Sequence, residues 1–279
     1  MRMRTTVAAV SGALALASLA VPAAQAADGP GSTTSLRTFA AKAAADEVVG
    51  DTRITKVVVN GGKDIVLGTS AKKTVSVAVT ATDPSGIDGA VVFLWHGSAL
   101  TGTGTDGALF PASEDAACTA VNATTSTCKV SITIDPKADL YKNALAGTWK
   151  VYAVVGGKDG DVVEKEAAGT AKIKRNAVLT VNAAPEPVKK GRTITVTGKL
   201  TRANWETHKY AGYTGQSVQL QFRKKGTSTY KTVKTIKSSS TGALKTTVKA
   251  SMDGYWRFNF VTTSLTGAVA GPSDFVDVR

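Results

Sequence analysis

The chain has 279 residues, 43% hydrophobic and 20% charged, enough for two ordinary domains and too apolar for wholesale disorder. Lys and Arg number 34 against 21 Asp and Glu, a formal charge of +13. Two His and two Cys leave little material for a metal site or a Cys/His catalytic engine.

Residues 1–26 read as a signal peptide. Arg2 and Arg4 form a positive n-region, residues 7–21 an apolar h-region, and Ala24-Gln25-Ala26 an A-x-A cleavage site. The apolar run is shorter than the about 20 residues a spanning helix needs. No second run of that length follows, so the mature chain is expected to be secreted, extracellular and without a transmembrane segment. Residues 27–50, rich in Ala, Gly, Ser and Thr, read as a flexible leader with helical tendency over residues 36–49 (LRTFAAKAAADEVV).

From Arg53 the pattern changes to period two, broken by turn residues. ITKVVV (54–59) stops at Asn60-Gly61-Gly62, and TVSVAVTAT (74–82) stops at Asp83-Pro84-Ser85-Gly86. AVVFLW (90–95) is continuously apolar, as in a strand buried on both faces. KVSITID (129–135), TWKVYAVV (148–155) and AGTAKIKR (168–175) complete the first half. Cys118 and Cys128 lie ten apart around a polar loop. In an oxidising compartment they are expected to form a disulfide contributing under ~3 kcal/mol through loop entropy.

The second half repeats the plan. After AVLTVNAAPEPV come TITVTGKL (193–200), SVQLQFRKK (217–225), YKTVKTIK (230–237), LKTTVKAS (244–251), GYWRFNFV (254–261) and DFVDVR (274–279). GTWKVYAVV and GYWRFNFV share Gly-x-Trp-basic-apolar, and their tryptophans, Trp149 and Trp256, stand 107 residues apart. That spacing is near the length of one immunoglobulin-like domain. The expected architecture is all-β: two tandem immunoglobulin-like β-sandwiches, 51–175 and 176–279, with Trp149 and Trp256 in their cores. Charge is unequally shared. Residues 176–279 hold 16 Lys/Arg and 5 Asp/Glu, whereas residues 27–175 hold 16 of each.

The run from Gly191 (GRTITVTGKLTRANWETHKYAGYTGQSVQLQFRKKGTSTYKTVKTIK) through DGYWRFNFV to SDFVDVR resembles an immunoglobulin-like module of secreted and surface proteins from soil actinobacteria. The resemblance spans about 90 residues and implies a fold and a compartment, but no mechanism. Some members of that group carry a calcium-binding label. TATDPSGIDG in the first half is loosely similar to bacterial Ig-like repeats.

Three chemistries remain. Calcium is the one cofactor to consider: the turn acids Asp83 and Asp88 of DPSGID offer two carboxylates, with a third from another loop at the same end, among Asp106, Asp135, Asp139, Asp159 and Asp161. No EF-hand loop or acidic nonapeptide repeat is present. The loop ANWETHKYAGYTG clusters Trp205, His208, Tyr210 and Tyr213 with Arg202 and Lys209, residue types that stack on and hydrogen-bond to sugar rings. The excess charge of the second half suits an anionic envelope polymer or glycan, with nucleic acid the less favoured polyanion. Catalytic residues are expected to be absent. His96 and His208 fall in different halves, and no nucleophile-elbow, H-E-x-x-H, Walker or G-x-G-x-x-G context occurs. Oligomeric state has no sequence signal. The expected role is a non-catalytic adhesive or structural protein at the cell envelope, with a carbohydrate-binding module and a calcium-stabilised scaffold as alternatives.

Overall fold

The computed structural model describes residues 46–279. The expected signal peptide, residues 1–26, and residues 27–45 of the expected leader lie outside the described residues. The first sandwich comprises β1 (Glu47–Val49), β2 (Arg53–Val59), β3 (Ile65–Leu67), β4 (Lys73–Thr82), β5 (Ile87–Gly97), β6 (Thr105–Leu109), β7 (Ala117–Asn122), β8 (Thr125–Ile134), β9 (Gly147–Gly157) and β10 (Val162–Arg175). The second comprises β11 (Ala177–Ala184), β12 (Thr193–Asn204), β13 (Lys209–Gly212), β14 (Ser217–Lys224), β15 (Lys231–Lys237), β16 (Ala243–Lys249), β17 (Gly254–Phe260), β18 (Val269–Ala270) and β19 (Asp274–Val276).

Period-two alternation decides which face of each strand is inside. In β4 and β8, Val75, Val77, Val79, Val130, Ile132 and Ile134 are buried. Their outward neighbours are hydroxyls: Thr74 bonds to Thr133 and Thr80 to Thr127 across the strands. β2-β4-β8-β7 form one sheet. It packs on a second sheet ordered β1-β10-β9-β5-β6, with β3 parallel to β10. Cys118 and Cys128 are direct cross-strand partners on β7 and β8 and are disulfide-bonded.

One part of the leader belongs to the fold. β1 pairs antiparallel with the start of β10, Val48 opposite Val163. Residues 46–49 are therefore extended rather than helical, because the exposed edge of β10 offers them a ladder of backbone partners. The double-sided apolar character of β5 has its counterpart in β9. Trp95, Tyr152 and Val154 form a second cluster on the sheet face opposite the main core.

In the second sandwich, β11-β12-β13, with β16 on β12, face β15-β14-β17-β18, with β19 on β17. Trp149 and Trp256 are buried, one in each core. Strict alternation along KTVKTIK places Lys231, Thr235 and Lys237 on one side, but the register shifts between Leu220 and Gln221. Thr232, Thr235 and Lys237 lie opposite the outward residues Gln221, Gln219 and Ser217. Lys231 and Lys234 lie opposite the inward residues Phe222 and Leu220, on an edge strand that they protect from further pairing.

The sandwiches meet at a contact tied by hydrogen bonds and an ion pair. β10 ends at Arg175 and β11 begins at Ala177, so the connection has no slack. Arg175 Nε donates to the Ala203 carbonyl at 2.6 Å, and its backbone pairs with Leu265 and Gly267. Burial, with the Arg202 charge adding to it, pulls the Arg175 guanidinium down to about 10. Lys174 bridges Asp64 (2.7 Å) and Thr262 (2.9 Å).

Candidate functional site

The aromatic loop is a hairpin of the end of β12 and β13, and it divides its residues between two tasks. Trp205 is fully buried, and not in its own sandwich: it joins the core of the first. Its indole Nε1 donates to the Gly68 carbonyl at 2.9 Å, and its backbone N–H to Asn143 Oδ1 at 3.0 Å. Asn143 also donates to Asn204 Oδ1 and Glu206 Oε1, each at 3.0 Å. Arg202 lays its guanidinium 3.9 Å over the Tyr213 ring, which meets Phe260 edge-on at 5.6 Å. Trp205, Arg202 and Tyr213 are therefore parts of the junction and the adjoining core. The expectation of a ligand-stacking Trp205 is corrected, because its indole presents no face to solvent. Burying so large an apolar ring releases more free energy than exposing it to a polar ligand.

His208, Lys209 and Tyr210 remain on the surface. His208 has φ 51 in the hairpin turn, and Lys209 is exposed. Tyr210 is 38% exposed, and its hydroxyl accepts from Asn176 Nδ2 at 2.9 Å. It lines an open groove of about 400 Å³ shared with Leu67, Gly68, Lys72 and Lys73.

At the far end of the first sandwich, Asp51, Asp83 and Asp161 bring carboxylate oxygens within 4.8 Å of one another. Asp83 is buried in a hydrogen-bonded nest, accepting from Thr52 Oγ1 (2.5 Å), Ser85 N (2.7 Å) and Ser85 Oγ (2.5 Å). Burial would raise its pKa, but the Ser85 and Thr52 hydrogen bonds outweigh it and hold the carboxyl below the usual range. Asp51 is pushed the other way, by desolvation and then by Asp83, Asp161 and Asp159. The turn is built to admit these groups. Gly50 has φ 78, and a Cβ there would sit 1.8 Å from the Asp161 carboxyl. A Cβ on Gly157 would sit 2.3 Å from Asp83 Oδ2. Asp88 is not a member. It is the exposed residue at a register shift in β5, between buried Ile87 and Gly89. The other two carboxylates come from a segment before β2 and from the β9–β10 turn.

Of the remaining acids, Asp106 bonds to His96 Nδ1 (2.5 Å) and Lys142 (3.0 Å). Asp135 pairs with Lys72. Both act as local ties between strands and loops.

A family model described as a family of unknown function (DUF5707) matches residues 67–155. That match lies on the first sandwich, whereas the resemblance read from the sequence lay mainly on the second. No curated protein matches the chain. Among solved structures, the D00-D0 domain of intimin is 17% identical, with 79% of this chain and 99% of that one covered and a TM-score of 0.27. The Yersinia pseudotuberculosis adhesin InvE is 14% identical over 82% and 60%, with a TM-score of 0.26. Three N-terminal domains of the bacteriophage RB49 outer capsid protein Hoc are 7% identical over 82% and 70%, with a TM-score of 0.30. Among the described residues, no helix is long and apolar enough to cross a membrane.

Proposed function

We propose that this is a secreted, non-catalytic adhesive or structural protein that associates peripherally with the cell envelope, through attraction of its basic second sandwich to an anionic polymer. The observation that carries this reading is the charge asymmetry: 16 Lys/Arg against 5 Asp/Glu over residues 176–279, and 16 of each over residues 27–175. The charge of the second sandwich exceeds the magnitude of about 2–8 that suffices to keep a small domain soluble. The junction, tied by Trp205, Arg175 and Lys174, would make the first sandwich a spacer for the basic one. The mature chain is expected to co-sediment with isolated cell envelopes at low salt. It should be released as the screening length falls from about 10 Å at 0.1 M to about 3 Å at 1 M. Binding indifferent to salt, or none at any salt, would overturn the reading.

A second reading, a calcium-stabilised scaffold, is favoured by the Asp51–Asp83–Asp161 cluster, where desolvation and then the neighbouring carboxylates raise Asp51. A divalent cation would relieve that repulsion and accept oxygens from all three. Calcium at about a hundredfold excess over its Kd is expected to add about 2.7 kcal/mol and raise the thermal midpoint, an effect lost in Asp51→Asn. A midpoint that ignores both calcium and chelator removes this reading. The carbohydrate-binding alternative loses Trp205 as a stacking face and has only Tyr210 left at the groove.

A further inference from the structure

The outward face of the β15-β14-β17-β19 sheet carries a row of interleaved cations and rings that the loop-centred reading of the sequence passes over. The register places Gln221 opposite Arg257, Arg223 opposite Tyr255, and Tyr255 opposite Phe275. Direct partners share a face, so these side chains form one continuous strip outside the core. Arg257 lies 3.7 Å over the Tyr230 ring, and Arg223 lies 4.0 Å over the Tyr255 ring and 5.3 Å over that of Tyr230. Tyr255 in turn packs on Phe275, with ring centroids 5.1 Å apart, and Lys225 stands 5.4 Å over that ring.

Contact with the rings limits the rotation of each guanidinium. Each has five N–H donors. Among the described residues, Arg257 gives Nε to Gln221 Oε1 (2.9 Å), and Arg223 gives one donor to the Thr227 carbonyl (2.5 Å) and also hydrogen-bonds to the Tyr230 and Tyr255 side chains, so Arg257 keeps the larger share of donors for a ligand. Among the described residues the ion pairs within this sandwich are Lys225–Asp253 and Arg279–Asp277, so neither Arg223 nor Arg257 is neutralised by a carboxylate. Arg223 and Arg257 are diagonal neighbours, about 7–8 Å apart at their backbones, a spacing suited to successive anionic groups on one chain. Beyond Arg257 the strip continues as amides. Gln219 Oε1 accepts from Asn259 at 3.0 Å and from Gln221 at 3.3 Å.

We propose that this face is the polymer-binding platform of the protein and that its ligand is a linear acidic polysaccharide. The guanidinium edges would pair bidentately with carboxylates, and the Gln/Asn strip would hydrogen-bond to sugar hydroxyls. The proposal rests on the anionic-polymer reading above and assigns it a face and a substrate class. The chemistry favours an acidic sugar chain over single-stranded nucleic acid. The Tyr230 and Tyr255 ring faces are occupied by guanidinium groups, so they are not open platforms for bases. A flat sheet face also suits an extended chain rather than a small molecule.

The test compares full mature chains binding to polygalacturonate at fixed ionic strength. Arg223→Gln with Arg257→Gln is expected to weaken binding about tenfold or more. Lys245→Gln with Lys249→Gln removes the same charge from the exposed outward side of β16, on the opposite sheet, and is expected to weaken it only about twofold. Arg223→Lys with Arg257→Lys keeps the charge but not the planar fork, and is expected to lose binding nearly as far as the Gln pair. Equal losses from the two Gln pairs, or full affinity in the Lys pair, overturn this platform and leave the general electrostatic reading standing. Tighter binding by the unmodified chain to polyphosphate or oligo(dT) than to polygalacturonate overturns the polysaccharide assignment. An unmodified chain that binds none of these probes and no envelopes overturns both proposals.

Discussion

Trp205→Ala is expected to cost about 3–5 kcal/mol, among the largest effects of any single substitution in this chain. The indole is fully buried, and its collapse leaves a cavity lined by the rigid core of the other sandwich, which cannot relax around it. The Gly68 carbonyl, 2.9 Å from Nε1, also loses its donor. The substitution acts on coupling as well as on stability. Asn143, Arg175 and Lys174 remain to hold the sandwiches together through hydrogen bonds, but each of these is worth only about 0.5–3 kcal/mol. Urea unfolding is expected to show one transition in the natural chain and two in Trp205→Ala, as the sandwiches begin to melt separately. Loss of less than about 1 kcal/mol, with a single transition retained, would mean that the junction does not depend on this plug.

Tyr152→Phe is the second large effect, and it works through charge. Glu164 is fully buried on the outward face of β10, and the Tyr152 hydroxyl donates to its Oε1 at 2.6 Å. Among the described residues, its Oε2 has no hydrogen-bond partner. Burial pushes Glu164 up, and Glu47, Glu166 and Asp46 push the same way, while the Tyr152 hydroxyl opposes them. Removing that hydroxyl removes a hydrogen bond to a charged group, worth about 1.5–3 kcal/mol. The ring itself keeps its stack on Phe93, with centroids 4.6 Å apart. The pH dependence follows from the direction of the shift. A carboxyl whose pKa is raised by folding binds its proton more tightly in the folded chain. Stability therefore falls as pH rises from about 4.3 through the raised value. Asp83, held low, acts in the opposite sense: its stabilisation is present at neutral pH and lost as pH falls through its folded pKa. Glu164→Gln is expected to flatten the first slope and leave the second. Chemical denaturation from pH 3 to 8 separates the two, and an unchanged profile in Glu164→Gln would show that the buried carboxyl carries no such penalty.

The two effects share a cause in the layout of the chain. Both Trp205 and Glu164 lie where a strand of one layer meets something other than its own core. Trp205 leaves its sandwich for the neighbouring one. Glu164 faces away from the main core, beside Tyr152 and Val154 on the second apolar face of the sheet. These positions look unremarkable in a linear reading, since a tryptophan beside two tyrosines suggests an exposed platform and a glutamate in a strand suggests solvent.

What the sequence determined by itself is everything that depends on neighbours two residues apart or on one repeated spacing. Alternation in TVSVAVTAT, KVSITID and TITVTGKL sets the strands and their inner faces, since a pleated strand must turn successive side chains to opposite sides. The repeated Gly-x-Trp motif announces two sandwiches and places Trp149 and Trp256 in their cores. The pairing of Cys118 with Cys128 follows from there being two cysteines only. What the tertiary structure alone decided is which distant segments meet. Residues 46–49 become a strand because β10 has a free edge to complete, which local helical tendency cannot override. Asp83 gathers Asp51 and Asp161 rather than Asp88, because the segment before β2 and the β9–β10 turn converge on it while Asp88 sits at a bulge in β5. A bulge in the β14–β15 pairing moves Lys231 off the outward face, and register across β14, β17 and β19 builds the arginine–tyrosine strip from residues as distant in the chain as Gln219 and Phe275. The free energy that selects these meetings is the burial of apolar surface. That energy is non-directional, so it makes Trp205 bury without saying in which core.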